Sequence, residues 1–483
     1  MSQLLPSRLS RVADDRPIAP RIAESASVVN DGALVPLDEF HRRYAERKAR
    51  GARVKRIPLD SLDGWRTDSE TGDLVHESGA FFRVQGLSVL VEGAPVPAWS
   101  QPIINQSEIG ILGLLVKDFN GVLHCLVQMK AEPGNSNGLQ ISPTVQATRS
   151  NYTRVHGGRP VPYLSYFRET GPYRVVADVL QSEQGAWFYQ KRNRNMVVET
   201  TGDVPLVDGF AWLTIGQLHA LLNCDDLLNM DIRTVLSCLP FTDPADPRGV
   251  SPAAGSGTRA PAAVGGGNAL HSTGDILSWI TESRTGHRVD ATLMPLRAVE
   301  KWRRDEYSIA HESGRFFRVM AVRVLDAGER EVRQWSQPMI EPCGLGIVAF
   351  LVKEINGVPH VLVHSGVEPG YLDVVELGPT VMCTPENYAD LPPEALPRYL
   401  EHVLEASGED ILFEATLSEE GGRFHHARNR YLIIRTDIDH DSHGDPDYRW
   451  MTLSQLSGLL LHSHYVNVQA RSLIACLRSL VGA

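Results

Sequence analysis

The sequence is poor in cysteine and nearly without lysine. Six cysteines are scattered over 483 residues (Cys125, Cys224, Cys238, Cys343, Cys383, Cys476), none in a C-x-x-C pair. A disulfide-stapled scaffold and a C-x-x-C metal or redox site are therefore not expected, and buried free cysteines suit a reducing compartment. The 7 lysines stand against 40 arginines, a skew that reports codon usage in a GC-rich genome and says nothing of fold. Long apolar runs are missing: Gly110–Val116 and Ile347–Val352 fall well short of the ~20 residues a membrane span needs. The opening MSQLLPSRLSRVADDRPIAP has no apolar core of a secretory signal, so a cytoplasmic protein without a membrane partner is expected. Positive charge is also short: the formal net charge of −11 argues against nucleic acid as a partner. There is no G-x-G-x-x-G after a strand, no P-loop, no G-x-S-x-G and no H-E-x-x-H. What remains, 42% hydrophobic and 22% charged residues, is an ordinary globular composition with room for two to four domains at roughly 100–200 residues each.

The chain repeats itself. His76-Glu77-Ser78-Gly79 returns as His311-Glu312-Ser313-Gly314, each followed one residue later by Phe-Phe-Arg-Val. Trp99-Ser100-Gln101-Pro102 returns as Trp335-Ser336-Gln337-Pro338, and from there the offset stays at 236. It carries Glu132-Pro133-Gly134 onto Glu368-Pro369-Gly370, Pro143-Thr144 onto Pro379-Thr380, Asn151-Tyr152 onto Asn387-Tyr388 and Arg192-Asn193-Arg194 onto Arg428-Asn429-Arg430. A constant offset over about a hundred residues marks a duplication. The boundaries read as a flexible leader over 1–34, a first repeat over 35–241, a Pro/Ala/Gly/Ser linker over 242–271 and a second repeat over 272–483.

Each repeat reads as α+β, a mixed sheet with packed helices. Phe81–Val91 is a strand by its β-branched and aromatic content. Asn120-Gly121 and Asn356-Gly357, each between two apolar runs, predict hairpins. Arg174–Leu180 and Met196–Glu199 are further strands. Apolar residues at i, i+3 and i+4 predict helices over Ile215–Leu222, Asp231–Leu239, Leu453–His462 and Val468–Leu477. The shared Gly134 and Gly370 are read as turn residues, and Pro102 and Pro338 as loop-fixing prolines.

Several shared polar residues could carry chemistry. Trp99 with Gln101, and Trp335 with Gln337, read either as core or as an aromatic platform with an amide for a flat base. Arg192, Asn193 and Arg194, with Arg428, Asn429 and Arg430, read either as a solvated hairpin or as a diphosphate clamp. Arg83 and Arg318 read as snorkelling edge residues or anion clamps. Around Tyr152 the first repeat adds Arg149, Arg154 and His156. Candidates for proton transfer are Glu132 and Glu368 and the two tyrosines, with Lys130 in the first repeat. Gln140 faces Glu376 across the repeat, and Gln128 faces His364, which tilts base chemistry toward the second repeat and makes Glu368, Glu376 and Tyr388 the expected catalytic set. His440–Asp447 has metal-like composition, but its glycine and proline read as a polar loop, and no metal site is expected; His462 and His464 read as structural.

Gly138–His156 (GLQISPTVQATRSNYTRVH), Glu376–Tyr388 (ELGPTVMCTPENY) and the doubled Trp-Ser-Gln-Pro resemble the NDP-hexose 2,3-dehydratases, and the resemblance covers the chain apart from leader and linker. It implies that each repeat is similar to the Nudix hydrolase fold, without the glutamate-rich Nudix box. It implies dTDP-4-keto-6-deoxyglucose as substrate, loss of the C2 hydroxyl as reaction, no cofactor, a downstream NADPH-dependent 3-ketoreductase and a homodimer. It also implies nucleotide-sugar contacts in both repeats, from the residues above together with Thr380.

Overall fold

The structure, a computed structural model, describes residues 16–49, 51, 53–149, 160–169, 173–241, 268–325, 334–439 and 445–481. Among them, the first repeat centres on a mixed sheet. The Asn-Gly hairpin joins β6 (Gly110–Phe119) to β7 (Val122–Lys130), with Asn120 at φ 57° and Gly121 at φ 89°, the left-handed pair that a two-residue hairpin turn requires. Around it the order is β10 (Arg174–Ser182), β12 (Arg192–Glu199), β6, β7 and β13 (Phe210–Thr214), with β8 (Gln140–Ser142) on β7 and β9 (Val145–Ala147) on β6. The second repeat has the same order: β23 (Ile411–Ser418), β24 (Arg428–Arg435), β19 (Gly346–Ile355), β20 (Val358–Val367) and β25 (Tyr448–Thr452), with β21 (Val375–Gly378) on β20 and β22 (Val381–Cys383) on β19. The β12–β6 and β24–β19 pairs are parallel.

Each repeat also has an outer antiparallel sheet, and here the two halves exchange strands. The first has β2 (Trp65–Thr67), β3 (Leu74–His76), β4 (Arg83–Val91) and β5 (Ala98–Asn105); the second has β15 (Trp302–Arg304), β16 (Ser308–His311), β17 (Phe317–Leu325) and β18 (Trp335–Pro342). β1 (Arg53–Ile57) from the first half pairs with β17, Arg53 opposite Leu325. β14 (Val289–Met294) from the second half pairs with β4, Val289 opposite Val91. Each outer sheet therefore depends on the other repeat to extend it. Pro102 and Pro338 lie inside β5 and β18, opposite Gly86 and Ala321, and not in loops as the sequence suggested.

The C-terminal helices of the two repeats, α5 (Met230–Ser237) and α9 (Val468–Val481), meet at the centre. Asn229 and Asn467 cap them, accepting the N–H of Ile232 and Ala470 at 3.0 and 2.8 Å, as N-cap residues do. One apolar core runs through both halves, from Leu114 and Val127 through Val235 and Leu473 to Phe350 and Val363. Two fully buried arginines cross it reciprocally. Arg233 donates to the carbonyls of Leu228 and Ser418, each at 2.7 Å, and Arg471 to those of Val466 and Ser182, each at 2.6 Å.

The leader is not uniformly loose. Ile18–Ala26 forms α1, burying Ile18, Ile22 and Ala26. These positions are four residues apart and share one face. Arg21 is buried on the same helix and pairs with Glu199 at 2.7 Å, which offsets the desolvation of its charge. The polar residues between those apolar positions hid the stripe. Residues 242–267 of the linker, and His440 to Gly444, lie outside the described residues.

Candidate active site

A cavity of about 420 Å³ opens in the first half. Its wall is built from both repeats. β7 ends at Lys130, and the following loop brings Glu132. β9 contributes Gln146, β12 contributes Asn193, and the first turn of α5 contributes Asp231; from the second half come Trp335, Gln337, Glu420 and Arg423. Phe81, Phe82 and Trp65 add an aromatic side.

The polar groups form one network. Gln146 donates to Glu132 Oε1 at 3.0 Å and accepts from the Asn229 amide at 3.1 Å. Lys130 Nζ stands 3.8 Å from Glu132 Oε1 and donates to the Gln146 carbonyl at 3.0 Å. Asn193 donates to Glu183 at 2.5 Å. Arg423 donates to Gln106 Oε1 at 3.1 Å, with its guanidinium 4.3 Å over the Phe82 ring. Lys191 reaches the Glu108 carbonyl. One oxygen on each of Glu132, Glu183, Asp231 and Glu420 is sealed from solvent without a hydrogen-bond partner. Buried carboxyls that face one another hold protons more tightly. Burial, with the neighbouring carboxylates, raises Glu183, raises Asp231 well above the usual carboxylate range and pushes Glu420 up to about 7. Burial lowers Lys191 to about 8. Among the described residues no three of His, Cys, Asp and Glu are placed to hold a metal ion. Unpaired carboxyls and amides beside aromatic rings suit a sugar, whose hydroxyls need acceptors and whose carbon faces stack. The lysines and Arg423 suit phosphate oxygens.

The repeat arithmetic shows how uneven the two halves are. Lys130, Gln146 and Lys191 align at the offset of 236 with Gly366, Met382 and Ala427, and the cross-supplied Glu420 and Arg423 with Gln184 and Trp187; Asp231 and Gln469 each stand two residues after the helix caps Asn229 and Asn467, an offset of 238. Trp187 packs on Phe424 and Phe317, at ring distances of 4.7 and 6.5 Å, where Arg423 covers Phe82 in the first half.

The expected second-half residues sit elsewhere. Glu376 is 1% exposed and accepts from Ser182 at 2.5 Å; its partner Gln140 accepts from Ser418 at 2.9 Å. Glu368 is half-buried and accepts the N–H of Ala186 at 3.1 Å. Tyr388 lies half-buried on the short turn Pro385–Tyr388, its hydroxyl pushed up to about 12 by burial. None of the three lines the cavity.

Of the proposed contacts, Lys130, Asn193, Trp335 and Gln337 line the cavity, whereas Trp99 and Gln101 do not. Trp99 donates to Gln101, which donates to the Ala186 carbonyl at 2.7 Å; Trp335 donates to Gln337, which donates to the Gly422 carbonyl at 2.6 Å. The motif thus holds one loop in each half. The arginines around Asn193 cannot converge with it, because neighbouring strand residues face opposite ways. Arg194 pairs with Asp178 at 2.5 Å, Arg430 with Glu414 at 2.6 Å and Arg428 with Asp226 at 3.4 Å. Asn429 repeats the Asn193 contact on Glu419 at 2.7 Å. Thr380 accepts the Leu351 N–H at 3.0 Å and is structural, as Thr144 is in the first half. Arg149 is exposed, and Tyr152, Arg154 and His156 lie outside the described residues. Sequence reasoning missed Gln146, Lys191, Asp231, Glu420 and Arg423. Their one available signal was difference between the repeats, not identity.

The chain belongs to the NDP-hexose 2,3-dehydratase family, which matches residues 38–239 and 273–477. It is similar to three curated relatives, each named dTDP-4-dehydro-6-deoxy-alpha-D-glucopyranose 2,3-dehydratase. The Saccharopolyspora spinosa protein is 49% identical, with 95% of each chain covered. The Amycolatopsis orientalis protein is 47% identical over 97% of this chain and 96% of its own, and the Streptomyces violaceoruber protein 49% over 91% and 97%.

Proposed function

We propose that this chain is a dTDP-4-keto-6-deoxy-D-glucose 2,3-dehydratase, a hydro-lyase, acting in the first-half cavity. The observation that carries the activity is the 49% identity, over 95% of the chain, to a relative of that name. The charge difference between the repeats supports the first-half site. The C4 ketone acidifies the C3 proton. Glu132, with Lys130 beside it at 3.8 Å, takes that proton, and Lys130 balances the charge that develops on the enolate oxygen. The C2–O bond then breaks with protonation of the departing oxygen, water leaves, and the 2,3-enol tautomerises to the 3,4-diketo-2,6-dideoxy sugar. The sequence is redox-neutral. A positioned base contributes on the order of 10²–10⁴-fold, and charge-matched donors at the oxyanion add to that. Lys191 and Arg423 face the diphosphate.

The same reading takes each repeat as a Nudix-like domain that has lost metal-dependent hydrolysis. It takes the protein as a cytoplasmic homodimer and hands the unstable diketone to an NADPH-dependent 3-ketoreductase. The test incubates EDTA-treated protein with dTDP-4-keto-6-deoxyglucose, with and without a 3-ketoreductase and NADPH, followed by HPLC and mass spectrometry. The expected result is a nucleotide sugar lighter by one oxygen in the coupled reaction, and free dTDP with a sugar breakdown product in the uncoupled one. Unchanged substrate in both sinks the proposal.

A further inference from the structure

Dehydration needs a proton donor for the departing oxygen as well as a base, and the dehydratase reading of the first-half cavity, on which this inference rests, leaves four further carboxyls there, Asp63, Glu183, Asp231 and Glu420. Asp63 is exposed and pairs with Arg323 at 3.0 Å. Glu183 is fully buried, held by the Asn193 amide, and its counterpart Glu419 is held the same way by Asn429. That symmetry marks a structural pair. Asp231 is 2% exposed. Glu420 lines the cavity with them but differs from Glu183 and Asp231 in being only half-buried; its counterpart is Gln184, an amide that has no acidic proton to give.

Glu420 is also positioned from two sides. Its loop is clasped by the first half, with the Gly134 N–H donating to the Gly421 carbonyl at 2.8 Å. Its Oε1 accepts the Gly422 N–H at 3.0 Å, which fixes the carboxyl, and its Oε2 has no hydrogen-bond partner. A Cβ built on Gly422 would stand 2.4 Å from Glu420 Oε1 and 3.5 Å from Glu132 Oε1, so these two oxygens lie within about 6 Å of one another. A base and an acid at that spacing can address the C3 proton and the C2 oxygen of one sugar ring.

We propose that Glu420, delivered by the second half into the first-half cavity, is the general acid that protonates the departing C2 oxygen. The electron pair of the C3–H bond forms the C2–C3 double bond, and the C2–O pair leaves on oxygen, which takes the Glu420 proton and departs as water. The step ends with Glu132 protonated and Glu420 ionised. One proton shift between these neighbouring carboxyls restores the starting state. Burial among carboxylates, which pushes Glu420 up to about 7, keeps a substantial fraction of it protonated near neutral pH.

The test is Glu420→Gln in the full chain, compared with wild type for turnover, for dTDP affinity and for deuterium wash-in at C3 from D2O. Turnover should fall 100-fold or more, within the range expected for a lost general acid. Wash-in at C3 should persist, because Glu132 and Lys130 are intact, and dTDP affinity should stay within threefold. Glu420→Asp should recover part of the turnover. The wild-type fall of kcat/KM above neutral pH should be absent from the residual activity of Glu420→Gln. Turnover within threefold of wild type overturns the proposal. So does parallel loss of turnover and wash-in, which would place Glu420 behind the base. Should Glu420→Gln not fold, Glu420→Asp decides by the same two readouts: tenfold slower turnover with wash-in retained supports the assignment, and any other pattern rejects it. A wild-type protein that dehydrates nothing defeats the dehydratase reading itself, which separates the two failures.

Discussion

Glu132 and Glu376 show how one residue type takes different work from its surroundings. Glu132 has Lys130 at 3.8 Å and a cavity in front of it. Glu132→Gln should lower kcat by 10²–10⁴-fold and abolish C3 wash-in, as expected for a lost base. Lys130→Met should cost 10²–10³-fold, the usual loss of one oxyanion donor, with both effects read in the coupled reductase assay. Glu376 has no cavity, and burial pushes its carboxyl up to about 7. The folded state therefore favours its neutral form. That stability is full below the unfolded value near 4.3 and is lost as pH rises through about 7. Between pH 5 and 8 the loss is about 2.5 kcal/mol. Glu376→Gln should flatten this slope in chemical denaturation, while turnover falls less than tenfold. A collapse of turnover with an unchanged slope would return Glu376 to the catalytic set. The natural Gln140 at the equivalent place, on Ser418 at 2.9 Å, already shows that an amide fits this contact.

At the scale of elements, the motifs common to both repeats are clasps between them. The Gly134 N–H donates to Gly421, and the His426 N–H donates back to Gly134, both at 2.8 Å; Gly370 exchanges the same bonds with Gly185 and Gln190 at 2.8 Å. Trp65 donates to the Ser336 carbonyl at 3.0 Å, and Trp302 to the Ser100 carbonyl at 3.1 Å. Gly134 and Gly370 lie in turns, closed by the Asn135 N–H to Glu132 at 3.2 Å and the Tyr371 N–H to Glu368 at 3.1 Å, and also serve close approach. A Cβ at Gly134 would come within 1.8 Å of the Phe424 carbonyl oxygen, and at Gly370 within 1.9 Å of that of Phe188. Gly134→Ala must displace backbone, so it should destabilise by about 3 kcal/mol, the upper end of overpacking. In contrast, Gly121→Ala, with φ 89° and open space around it, should lose only about 1 kcal/mol. Thermal unfolding of the two variants side by side measures the difference.

The whole molecule unites two repeats that are not independent units. Each outer sheet borrows a strand, the core is continuous, and Arg233 and Arg471 cross it to carbonyls of the opposite half. A site-specific protease target placed within residues 242–267 should allow a cut that leaves both fragments co-eluting in gel filtration and melting in one transition. Two separable, separately melting fragments would contradict this. The hairpins, the long strands and the C-terminal helices were legible, because Asn-Gly turns and 3.6-residue periodicity are local. Helix α1 was not, since its buried Arg21 reads as solvent-facing until its partner Glu199 is known. The expected set of Glu368, Glu376 and Tyr388 lies off the cavity for a related reason. It joined residues shared by both repeats to Glu376, which stands where the first repeat has Gln140, yet a near-symmetric interface constrains the same residue in both copies, whereas a single cavity constrains only one.

By itself the sequence determined the duplication, the element types, the absence of membrane-length apolar runs and the family. All of these are set by local composition, periodicity and motif. Only the tertiary structure decided which residues meet. Glu132 and Glu420 are 288 residues apart in the chain, and Asp231 reaches them from a helix capped at Asn229. Strand exchange and a shared core bring them to one cavity. No periodicity within either repeat encodes a contact that exists only between the two.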